Sequence, residues 1–127
     1  VITKEKVIVI DLDGTLCSNK ESQQNYLELQ PHEEVILKLR EYRKKGFYII
    51  IYSSRNMRTY EGNIGLINAN TLKDIFQWLD SYSIPYDEVH VGKPWCGFDG
   101  FYVDDKTIRP QEFLNLSYDE ITELLKN

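Results

Sequence analysis

Val7-Ile8-Val9-Ile10-Asp11-Leu12-Asp13-Gly14-Thr15-Leu16 decides how this chain folds. Four apolar, β-branched residues run directly into two carboxylates spaced by one, followed by a glycine and a hydroxyl. Such a run reads as a strand buried on both faces, as in a parallel sheet. Acidic side chains at the C-terminal end of that strand stand where open α/β sheets bind ligands. Two carboxylates this close repel each other unless they share a proton or a cation. The stretch therefore predicts a metal-dependent reaction centre.

The elements on its C-terminal side alternate. Residues 17–30 are polar and without a clear period. Pro31 fits a first helical position, Val35, Ile36, Leu39 and Tyr42 follow at helical spacing, and Lys44-Lys45-Gly46 reads as the helix end. Phe47-Tyr48-Ile49-Ile50-Ile51-Tyr52 is a second buried strand, ending in Ser53-Ser54-Arg55-Asn56. Residues 57–70 are polar and read as a long loop. Leu72, Ile75, Phe76 and Leu79 predict a second helix, with Thr71 and Asp74 as a cap pair and Pro85 as its stop. Residues 87–91 form a short third strand leading into Gly92-Lys93-Pro94. Phe101-Tyr102-Val103 reads as a fourth strand, ending in Asp104-Asp105. Ser117 and Glu120 box a last helix through Leu125. The order β, α, β, α, β, β, α argues for one α/β domain over 1–127, with a mainly parallel sheet and helices on both faces.

Composition narrows the function. No apolar run reaches membrane-spanning length and no signal-peptide pattern opens the chain, so a cytoplasmic protein without a membrane partner is expected. A net charge of −5 disfavours nucleic acid as a partner. It leaves room for a small phosphorylated substrate, since a bound divalent cation reverses the local field. Cys17 and Cys96 are the only cysteines, too few for a zinc knuckle, and free thiols are the default.

In a parallel sheet the strand ends converge on one edge, where these polar groups suit phosphate-ester chemistry. That chemistry needs a nucleophile, a proton donor for the leaving alcohol and positive charge on the transferring group. Asp11 can attack phosphorus, and Asp13 can protonate the leaving oxygen and then activate water. Asp11 and Asp104 can hold Mg²⁺ through oxygen. Ser53, with Ser54 and the amides beside it, can bind phosphate oxygens. Lys93 can neutralise the charge that grows in the transition state.

Asp11-Leu12-Asp13-Gly14-Thr15, Ser53 with Arg55, Lys93, and Asp104-Asp105 resemble, in order, the four motifs of the haloacid dehalogenase superfamily. The resemblance implies a Rossmann-like three-layer core, a Mg²⁺ cofactor and Asp11 as nucleophile. It implies that Asp13 is the acid/base and ligates the metal through its main-chain carbonyl, with Asp105 acting behind the ligands. Members that cleave carbon–halogen bonds lack the second aspartate of the first motif, so Asp13 favours phosphoryl chemistry. Arg55-Asn56-Met57-Arg58-Thr59-Tyr60-Glu61-Gly62-Asn63 and Gly92-Lys93-Pro94-Trp95-Cys96-Gly97 are similar to a small bacterial subgroup associated with capsule or surface-polysaccharide biosynthesis. Arg55 and Arg58 are substrate-contact candidates on that pattern, and Trp95 is placed to line the cleft mouth.

The intervals 17–30 and 56–92 leave no room for a cap domain, so the cleft should be open. Water exclusion helps electrostatic catalysis, which favours a homo-oligomer covering it. The expected activity is a Mg²⁺-dependent phosphatase acting on a sugar phosphate or related metabolite. Two rivals stand beside it. A polynucleotide end-phosphatase fits an open cleft but not the acidic charge. A catalytically silent Mg²⁺/phosphate-binding module has no chemical need for all of Asp11, Asp13, Ser53, Lys93 and Asp104. A calcium loop counted from Asp11 fails, because Leu16 and Ser22 stand where glycine and glutamate are required.

Overall fold

The computed structural model describes residues 4–126. The chain divides into two compact units, Val1–Trp95 and Cys96–Asn127. The fold is α/β, a Rossmann-like three-layer arrangement on a parallel sheet. Strands β1 (Val7–Ile10), β2 (Tyr48–Tyr52) and β3 (Glu88–His90) lie in the order β1-β2-β3. Val7 pairs with Tyr48 and Ile10 with Ile51, while Ile50 pairs with Glu88 and Tyr52 with His90. This register sets the carboxyl ends of all three strands on one edge.

The core grows around the central strand, whose Ile49 and Ile51 are fully buried. Helix α1 (Glu33–Lys44) buries Val35, Ile36, Leu39 and Tyr42, the stripe that its spacing predicts. It ends as expected, with Lys45 as cap and Gly46 at φ 92°, a left-handed position that suits glycine. Helix α3 (Leu72–Ser81) buries Ile75, Trp78 and Leu79, and the Trp78 indole donates to the Leu29 carbonyl at 2.9 Å.

Several local expectations are corrected. Strand β1 is not buried on both faces, because Val9 is 59% exposed. Helix α1 starts at Glu33 rather than Pro31. Pro31 instead bridges to Cys17, and the His32 N–H donates to the Leu16 carbonyl at 2.8 Å, so the backbone there is committed to the loop after β1. The predicted loop 57–70 contains helix α2 (Ile64–Asn70), capped by the Asn63 side chain, which accepts from the Leu66 N–H, and anchored by buried Ile67. Thr71 does not cap α3 through its side chain, since its hydroxyl donates to Asn56 Oδ1 at 2.6 Å. Helix α3 stops at Ser81, ahead of Pro85, where Ser83 turns the chain at φ 52°.

In the second unit, helix α4 (Pro110–Asn115) was not foreseen, although Pro110 in its first turn and a Glu112 carboxylate accepting from the Arg109 N–H are ordinary start signals. Helix α5 (Tyr118–Leu124) has the expected box. Ser117 Oγ accepts from the Glu120 N–H at 3.2 Å, and Glu120 accepts from the Ser117 N–H at 2.9 Å. The fourth strand is a correction. Residues 101–104 form no strand, and Phe101 and Val103 are 80% and 88% exposed. Among the described residues no helix is long and apolar enough to cross a membrane.

Candidate active site

A tight turn closes directly on β1. The Leu12 carbonyl accepts from the N–H groups of Thr15, Leu16 and Cys17 at 3.2, 2.9 and 3.3 Å. The Gly14 N–H donates to the Cys17 carbonyl at 2.7 Å, with Gly14 at φ 86°. Leu12, Leu16 and Cys17 are fully buried and pin the turn to the core. Asp11 and Asp13 are the two residues of this turn whose carboxylates stay half-exposed.

Asp11 faces cationic and hydroxyl groups. The Lys93 ammonium stands 3.7 Å from Oδ1, and the Thr15 hydroxyl donates to Oδ2 at 3.3 Å. Burial raises its pKa above the ordinary aspartate value, with the Lys93 charge opposing and the Asp13 charge adding to the rise. A carboxylate short of solvation, with a fixed ammonium beside it, is arranged to receive a further cation or an electrophile.

Asp13 is held differently. Arg55 grips it as a fork, Nε to Oδ2 at 3.1 Å and Nη2 to Oδ1 at 2.8 Å. The guanidinium lies over the Tyr26 ring at 4.1 Å, and the Arg55 side chain is only 1% exposed against 25% for Asp13. Among the described residues, Arg55 Nη1 is buried without a hydrogen-bond acceptor. The Cys17 thiol approaches Asp13 Oδ1 and the Leu12 carbonyl, each at 3.6 Å. Burial first, then the Asp13 charge, pushes that thiol up to about 12. Cys17 is therefore a packed thiol whose burial disfavours the thiolate.

Ser53 ends β2 and ties the strand ends together. Its N–H donates to the His90 carbonyl at 2.8 Å, and its carbonyl accepts from the Lys93 N–H at 3.1 Å. Its buried hydroxyl accepts from the Arg55 N–H at 3.0 Å. One serine thus fixes the chain at both the cation beside Asp11 and the cation holding Asp13. Ser54 is half-buried, its carbonyl accepting from the Met57 N–H at 3.0 Å.

The first unit therefore brings Asp11, Asp13, Ser53, Arg55 and Lys93 into one connected cluster. It places Arg55 on Asp13, whereas the sequence suggested Arg55 for substrate contact. Arg58 is exposed in the turn that follows, and Trp95 is 40% exposed. Asp104 and Asp105 belong to the second unit and are exposed. There Asp104 Oδ1 accepts from the Lys106 N–H at 2.9 Å, the chief cause of its lowered pKa. Among the described residues no three His, Cys, Asp or Glu side chains cluster as a metal site.

Three contributors escaped the sequence reading. Thr15 completes the Asp11 shell, and only its place inside the acidic motif pointed to it. Tyr26 supports the Arg55 guanidinium from a stretch that carries no pattern. Asn56 adopts φ 61° and accepts the Thr71 hydroxyl; asparagine just after a strand end was the available signal, since it tolerates the left-handed region.

No family model and no curated protein matches this sequence. Among solved structures, the crystal structure of an MCSG target from Vibrio cholerae is 52% identical, with 94% of this chain and 96% of that chain covered and a TM-score of 0.90. A structure of a Pnkp1/Rnl/Hen1 complex is 24% identical with a TM-score of 0.51, covering 87% of this chain and 33% of that one. At that identity the second likeness concerns the fold alone.

Proposed function

The chain belongs to the family of the Vibrio cholerae protein, and from the geometry around Asp11 we propose that it is a Mg²⁺-dependent phosphatase of the haloacid dehalogenase type. The observation that carries this reading is the Lys93 ammonium 3.7 Å from Asp11 Oδ1, beside a second aspartate held rigidly two residues on. In this reading Asp11 attacks the phosphorus of a small phosphate monoester and becomes an aspartyl-phosphate. The leaving alkoxide takes a proton from Asp13. Asp13 then withdraws a proton from water, which attacks the phosphorus and frees phosphate and Asp11. Lys93 offsets the charge on the transferring group. The Arg55 fork holds Asp13 in place for both proton transfers.

The donors fit a hard cation. The groups at hand are carboxylate and carbonyl oxygens, and burial favours the protonated form of the Cys17 thiol, pushed up to about 12. Both Asp13 carboxylate oxygens accept from Arg55, so its main-chain carbonyl would be the ligand, together with the Asp11 carboxylate. Bound Mg²⁺ would supply charge to the phosphate oxygens and lessen the repulsion that Asp11 meets on approach.

The substrate we favour is a sugar phosphate, used in the cytoplasm for capsule or surface-polysaccharide biosynthesis. The test is turnover of p-nitrophenyl phosphate in Mg²⁺, lost in EDTA and in Asp11→Asn. A panel of sugar phosphates, polyol phosphates, nucleotides and 3′-phosphorylated oligonucleotides then ranks substrates. An Asp11→Asn variant with full activity would overturn the nucleophile. Metal binding without turnover of any ester would overturn the enzyme.

A further inference from the structure

The proton donor marks the side of the cleft on which the leaving alcohol must lie. A general acid works within hydrogen-bond reach of the oxygen it protonates. In the phosphatase reading that acid is Asp13, so the groups around Asp13 face the leaving group. Arg55 donates to both Asp13 oxygens, and the guanidinium in turn carries the Tyr26 ring at 4.1 Å. Tyr26 thus stands one guanidinium away from the acid, with no part in the steps given above.

Tyr26 is firmly seated, although no pattern in its stretch announces it. It opens a single 3₁₀ turn, Tyr26–Glu28, which the Asn25 side chain caps by accepting from the Leu27 N–H at 2.8 Å. Leu29 follows the turn fully buried, and its carbonyl accepts from the Trp78 indole of α3. The ring meets two cations, Arg55 at 4.1 Å and the Lys20 ammonium at 5.4 Å. A base stacking on its face would have to displace them. What the residue offers a ligand is therefore its hydroxyl. The Asn56 amide donates to that oxygen at 3.4 Å. A phenol oxygen that accepts still has its own proton to give, and among the described residues nothing takes it. Asn56 is itself fixed, since it donates to Thr59 Oγ1 at 3.2 Å and accepts from the Thr71 hydroxyl at 2.6 Å. The neighbouring rim is polar too. A Cβ on Gly14 would meet the Asn19 amide nitrogen and oxygen at 3.4 Å, so that amide lies over the acidic turn.

We propose that Tyr26 is a specificity-determining residue whose hydroxyl donates to a hydroxyl oxygen of the leaving alcohol. The enzyme then selects phosphate esters of polyhydroxylated alcohols over esters of plain alkanols. This rests on the phosphatase reading, because Asp13 as the acid is what puts the leaving group on this side. A donor already oriented by Asn56 loses little freedom when it binds, which favours the contact.

The test compares sorbitol 6-phosphate with hexyl phosphate, esters of alcohols with the same carbon chain that differ in their hydroxyls. Tyr26→Phe keeps the ring beside Arg55 and deletes the donor. The wild-type protein should prefer the sorbitol ester in kcat/KM, and Tyr26→Phe should lower that preference about fivefold, the worth of one hydrogen bond. A preference that the substitution leaves unchanged overturns the proposal, including the case in which both esters slow alike, as they would around a merely structural tyrosine. A wild-type protein that cleaves p-nitrophenyl phosphate yet prefers hexyl phosphate, or takes neither ester, overturns it as well. Absence of turnover of every ester, p-nitrophenyl phosphate included, strikes the phosphatase reading instead. Calorimetry then decides the contact: sorbitol 6-phosphate should bind Tyr26→Phe about fivefold more weakly than the wild-type protein, and equal binding or none would refute it.

Discussion

Replacing Arg55 by leucine tests whether Asp13 is held as described. Removing one partner of a buried pair costs about 3–5 kcal/mol, chiefly because the other charge is stranded. Asp13 keeps 25% of its side-chain surface, so water recovers part of that loss. The cation–π stack over Tyr26, with its 4.1 Å separation, adds about 0.5–2 kcal/mol. The sum for Arg55→Leu is about 3 kcal/mol, equivalent to a fall in Tm of about 10 °C for a domain of this size. Urea unfolding with an unchanged slope measures it. Arg55→Lys should recover only part, since an ammonium cannot reproduce the two-pronged grip. Adding Asp13→Asn to Arg55→Leu removes the stranded carboxylate, so the double variant should be more stable than the sum of the single losses allows. A coupling of about 1.5–3 kcal/mol is expected. A loss below about 1 kcal/mol for Arg55→Leu, or strict additivity in the cycle, would refute the argument that desolvation makes this pair obligatory.

Asp11 has a raised folded-state pKa, so its ionised form weakens the fold; stability tied to it is full at low pH and falls as pH rises through that value. Asp11→Asn should therefore raise Tm near neutral pH, and the gain should vanish below the ordinary aspartate range. Glu88 behaves oppositely. Its hydrogen bonds from Tyr48, His90 and Lys4 lower it from 4.5 to about 2, so a Tm deficit of Glu88→Gln should be complete above pH 4.5 and fade toward about 2. Native thiol labelling near pH 8 should modify the half-exposed Cys96 and spare Cys17, whose thiol is fully buried and shifted to about 12; denaturant should release the second equivalent.

What could be read from the sequence follows from what each residue needs in order to act. Val7–Ile10, Tyr48–Tyr52 and the stripe Val35, Ile36, Leu39, Tyr42 were legible because burial of a strand or a helix face is written in local period. Asp11, Ser53 and Lys93 were legible because an α/β sheet gathers its strand ends on one edge whatever the loops do. Arg55 was legible as a cation and not as a buried one, because its partner lies outside its own segment and its support, Tyr26, carries no pattern. Helix α2 was missed because a single buried residue, Ile67, gives no periodicity to detect. Residues 101–103 are the instructive case. Their composition matches β1, and local preference alone predicts a strand, yet a strand exists only where a neighbouring edge completes its ladder. Propensity reports what a segment can become and is silent about whether an edge stands beside it to pair with.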